Sequence, residues 1–167
     1  MGRAVKALIA LLAGMLVLSG CSGQNPSHAA TVGGVVIPVS EVDALTPVVK
    51  PYLPSPTPAS VAGLLVLSRL GVQVAANAGL TFSDDERAAA SAAVLPEGLA
   101  ADPAAAGFVA DFLTTALASQ ALGQEGFAEA AASIPVEVNP RFGEWSLDQL
   151  TLVPGGSLSS PAPAGGA

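Results

Sequence analysis

The sequence predicts a mainly α-helical bundle closed by a small antiparallel sheet, with one strand from near each end of the chain. Three observations point there. The 167 residues include 33 Ala, 18 Gly and 14 Pro, and 51% are hydrophobic with only 4% aromatic. Long Ala- and Leu-rich stretches carry apolar residues at helical spacing. Strand-like β-branched runs occur only near the two ends, around 30–37 and 134–138. The length suits one domain with a single core.

Charge and rare residues exclude several function classes. Six Lys and Arg stand against thirteen Asp and Glu, a net charge of −7. Nucleic acid needs a basic face, so it is not an expected partner. One Cys forbids an internal disulfide and one His forbids a multi-His metal site, so neither metal nor cofactor is expected.

Residues 1–20 read as a secretory leader. Arg3 and Lys6 precede an apolar run from Ala7 to Val17, shorter than the roughly 20 residues a permanent span needs. Leu18-Ser19-Gly20-Cys21 follows. Residues 21–29, polar and containing Asn25-Pro26-Ser27, read as a tether. Without the leader four cations (Lys50, Arg69, Arg87 and Arg141) remain against the same thirteen acids, about −9. Anionic lipid should repel that surface.

The elements of the domain, 30–153, follow in order. Gly33-Gly34 between Val32 and Val35 fits a two-residue hairpin loop. Ser40 is the expected cap of a helix that begins at Glu41 and stops near Lys50. Pro51 to Pro58 reads as an extended corner. Ser60 to Ala78 is the longest apolar helix and the expected centre of the bundle, with Arg69, Gln73 and Asn77 on one polar stripe and Gly79 as its C-terminal cap. Ser68 and Arg69 interrupt it as a membrane span. Ser83 and Glu86 have capping-box spacing and open a helix to Val94. Pro96 to Ala101 reads as a turn. Asp102-Pro103 caps a helix that carries Phe108, Phe112 and Leu117 as far as Gly123. A short helix over 125–132 and a strand over 134–138 follow. That strand is expected to pair with the opening hairpin. Residues 154–167 read as a disordered tail.

Two segments carry a resemblance. Val32-Gly33-Gly34-Val35-Val36-Ile37 with Ser40-Glu41-Val42-Asp43 looks like the opening of SurA-type chaperone domains. Val136-Glu137-Val138-Asn139-Pro140-Arg141-Phe142-Gly143-Glu144-Trp145 resembles the closing strand and turn of SurA N-terminal-domain-like lipoproteins of high-GC Gram-positive bacteria. Leu18 to Cys21 is similar to the bacterial lipobox. The resemblance implies a diacylglyceryl group on the Cys21 thiol and a protein held on the outer face of the cell membrane. It also implies a non-enzymatic, chaperone-like binder of unfolded or extended secreted polypeptides. Gly33 stands where that family often has Asn. Larger members add a parvulin-type prolyl isomerase domain; no room for one exists between Gly123 and Asn139, and the only histidine is His28, so isomerase activity is not carried over. The alternative is a scaffold lipoprotein that binds one folded partner.

Other candidates have structural readings. Asn139, Pro140, Arg141, Phe142, Gly143 and Trp145 form a turn motif in which Asn139 starts the turn, Gly143 relaxes it, Arg141 pairs with an acid and the aromatics pack. Asp84-Asp85-Glu86 caps a helix rather than binding a cation. Glu125 and Glu129 lie on an exposed helix face, and His28 is solvated in the tether.

Overall fold

The computed structural model describes residues 25–155; the leader, Cys21 and residues 156–167 lie outside them. The protein is mainly helical with a three-stranded antiparallel sheet and a separate two-stranded ribbon. The chain runs β1 (His28–Val32), β2 (Val35–Pro38), α1 (Val39–Val49), α2 (Pro58–Asn77), α3 (Asp84–Val94), α4 (Glu97–Ala100), a 3-10 turn (Pro103–Ala105) and α5 (Ala106–Ala132). It ends in β3 (Val136–Val138), β4 (Glu144–Ser146) and β5 (Thr151–Val153).

The expected closure of the domain is present. The sheet order is β2-β1-β3, with Ala30 opposite Val138 and Val32 opposite Val136. Gly33 and Gly34 have φ of +53° and +85°, the pair of positive angles that a type I′ loop demands and glycine supplies without a steric penalty. The sheet's inner face buries Ala30, Val32 and Ile37 against the helices.

α2 is the central element. Ten of its residues are buried, and Val61, Leu65, Val66, Leu70 and Val74 are each at most 2% exposed. Each such side chain contributes about 1.5–3 kcal/mol of transfer free energy, so this one helix dominates the core. By length and composition α2 and α5 both qualify to cross a bilayer, Ser68 and Arg69 notwithstanding. Packing inside the protein distinguishes α2 from a span. Two residues of its polar stripe turn inward as well, while Asn77 stays exposed: Gln73 Nε2 donates to the Val32 carbonyl, and Arg69 bridges Glu41 of α1 and Asp111 of α5.

Local signals set most boundaries. Ser83 and Glu86 form a complete capping box on α3. Asp102 accepts from the Ala104 N–H and Pro103 follows it, opening the 3-10 turn ahead of α5. Gly123, at φ +71° and ψ 168°, breaks α5 where the break was expected.

Several expectations are corrected. The cap of α1 is Pro38 rather than Ser40, with no side-chain hydrogen bond; the Val39 N–H instead donates to the Ser27 carbonyl at 2.8 Å. His28 and Ala29 belong to β1 rather than a tether, and Ala29 is fully buried. The Pro51 to Pro58 segment is a series of turns and bends, with the Tyr52 and Leu53 N–H groups both donating to the Val49 carbonyl. α2 starts at Pro58, capped by a Thr57–Ser60 box. The expected turn at 96–101 contains the single-turn helix α4. The β4–β5 ribbon was not expected at all; it pairs Trp145 with Leu152.

Candidate functional site

The closing motif is a structural clasp. Asn139 works in both directions: its backbone N–H donates to the Ala29 carbonyl at 2.9 Å and its Nδ2 to the His28 carbonyl at 3.1 Å. Its Oδ1 and carbonyl accept from the N–H groups of Arg141 and Phe142, forming the tight turn that Pro140 favours. Gly143 sits at φ +119°, and a side chain there would run into the Val153 carbonyl. Phe142 is buried, and Trp145 is half-buried against the core. Arg141 does not pair with an acid among the described residues. Its guanidinium lies 4.5 Å from the Phe142 ring centroid, an arrangement the ring's negative face stabilises.

Phe142 also forms part of the floor of an apolar depression on the surface. This cleft of about 630 Å³ lies between the proline corner, α2 and β5. Leu53, Pro54 and Pro56 make one wall, Gly63, Leu64 and Leu67 the α2 floor, and Leu152, Val153 and Pro154 the opposite wall. Among the described residues no charged side chain lines it. Its volume falls within the range of about 300–1,000 Å³ typical of ligand sites. β5 packs onto α2 at Gly63, where a Cβ would stand in van der Waals contact with Leu152 at 3.4 Å. In the sequence Leu64 and Leu67 belong to the helix expected at the centre of the bundle. An α2 that is apolar on nearly every side carries no signal to tell an outward Leu from an inward one.

Charged groups lie elsewhere and are used structurally. The Arg69 guanidinium joins three helices, its Nη2 donating to Glu41 Oε1 at 2.9 Å and its Nη1 to Asp111 Oδ2. Burial raises the Asp111 pKa above the ordinary carboxylate value, while Arg69 opposes that rise through its charge and hydrogen bond. Glu86 is lowered, chiefly because its carboxylate accepts from the Ser83 N–H. Arg87 donates to Thr114 Oγ1 at 2.9 Å. Glu125 and Glu129 are exposed on α5. Among the described residues no three His, Cys, Asp or Glu side chains converge on one point.

Comparisons with family models, with curated proteins and with solved structures return no match.

Proposed function

We propose that this chain is a membrane-anchored, extracytoplasmic lipoprotein that holds unfolded or extended polypeptide, a SurA N-terminal-domain-like module without isomerase activity. Lipid on Cys21 supplies the anchor, since two or three acyl chains bind a bilayer durably where one does not. The net charge keeps the body off an anionic surface. The observation that carries the holding role is the uncharged cleft of about 630 Å³ between the proline corner, α2 and β5. An extended apolar segment gains by leaving water there, and the cleft has no charged side chain that the segment would have to desolvate.

The test is suppression of aggregation of a chemically unfolded client by the protein at several-fold excess. Thr151→Lys places a charge at an exposed position on the cleft wall and is expected to weaken client capture at least threefold. Ala88→Lys, on the exposed side of α3, is expected to leave capture unchanged. Equal capture by both variants overturns the assignment of the cleft, and no protection by the unaltered protein overturns the holding role. Cys21→Ala is expected to move the protein from the membrane to the soluble fraction.

A further inference from the structure

The cleft does not end at Leu67. A depression of about 240 Å³ between α2 and α5 shares Leu67 and Leu150 with it and adds Phe112, Ala116 and Phe127. A third, of about 640 Å³, shares Gln124 and Leu150 with the second and lies between the end of α5 and the β4–β5 loop. Leu150 borders all three. Its backbone is also unusual, at φ +49°, where a residue with a Cβ rarely sits. The character of the track changes along its length. It is uncharged from the proline corner to α5, and its far end carries Glu125 and Asp148 with the exposed Leu147 beside them. Neither acid has an ion-pair partner among the described residues.

We infer that the three depressions form one track for an extended polypeptide in which an apolar stretch is followed at one end by a Lys or Arg, with Leu150 as the constriction between its compartments. This rests on the holding role proposed above and adds a client class to it. Apolar side chains of the client fill the cleft and the Phe112–Phe127 compartment. The cation reaches Glu125 and Asp148, where opposite charge at an exposed site adds a modest preference. That preference weakens with salt, whereas the apolar part does not. An acidic residue at the same place is repelled, so the track discriminates by sign.

The experiment titrates the full chain with four series of labelled apolar peptides, carrying Lys at the N-terminus, Lys at the C-terminus, Glu at either end, or no charge. One Lys series is expected to bind about three- to tenfold more tightly than the neutral one at low salt. The better end reports the direction of the client. Glu125→Gln with Asp148→Asn, both exposed, is expected to erase that advantage and leave neutral peptides unaffected. Leu150→Gly is expected to strengthen binding of long peptides several-fold relative to peptides that span only the cleft. Equal binding of the Lys, Glu and neutral series overturns the track while leaving the holding role standing. Binding of none of the peptides overturns the holding role itself. A uniform loss with Leu150→Gly overturns its place as the constriction.

Discussion

Two carboxylates respond to pH in opposite senses. Glu86 is held below the ordinary range by the Ser83 N–H, so its folded pKa lies below its unfolded one. The stability it contributes is complete above the unfolded value and is lost as pH falls through the folded value. Asp111 is pushed up by burial. It binds its proton more readily in the folded protein, so its contribution grows as pH falls through that raised value and is lost as pH rises through it. Denaturant melts from pH 7 down to pH 3 should therefore show Glu86→Gln removing part of the acid loss. Asp111→Asn should remove a compensating acid gain. If both variants shift the profile in the same direction, one of the two local accounts is wrong. At this scale Gly33 also finds its reason. The Gln73 carboxamide, donating to the Val32 carbonyl, lies over the turn where a side chain at 33 would project.

Where α2 crosses α5, backbone meets side chain closely. A Cβ on Gly71 would fall within the Thr115 side chain, whose Oγ1 donates to the Ser68 carbonyl at 3.1 Å. Neither helix can retreat without opening the core around Leu70 and Leu113, both buried. Gly71→Ala is therefore expected to destabilise by about 1–3 kcal/mol, the usual cost of overpacking, despite alanine's better helix propensity. Chemical denaturation measures it, and a gain in stability would show the crossing to be loose. Elements with a local chemical signature were legible in the sequence: the Ser83–Glu86 box, the Gly33-Gly34 loop and the break at Gly123. Those set by distant partners were not. α1 begins two residues early because the Ser27 carbonyl, in the turn before β1, takes its first N–H. The β4–β5 ribbon has strands of three residues joined through a leucine at positive φ, a pattern with no period to detect. The cleft was illegible for the same reason: the ribbon makes one of its walls.

Seen whole, the protein is a bundle tied by its two ends. β1 takes β2 on one side and β3 on the other, and Asn139 adds two hydrogen bonds from the last part of the chain to the first strand. Asn139→Ala keeps the backbone bond but leaves the His28 carbonyl without the Nδ2 donor and Arg141 N–H without its acceptor. A loss of about 0.5–1.5 kcal/mol is expected, the net worth of a hydrogen bond whose groups water can still reach. The loss should appear equally in hydrogen-exchange protection of β1 and of β3, because the two strands share one ladder. Protection lost in β3 alone would mean that the amino-terminal hairpin stands by itself.

The pairing of Ala30 with Val138 joins residues more than a hundred positions apart. Because synthesis proceeds from the amino end, the hairpin exists long before the strand that completes it. Until Val136 to Val138 emerge, the edge of β1 that they cover stays unzipped. The domain therefore acquires its final shape in a late step, and a nascent chain cut short before that strand is left with an open, adhesive edge.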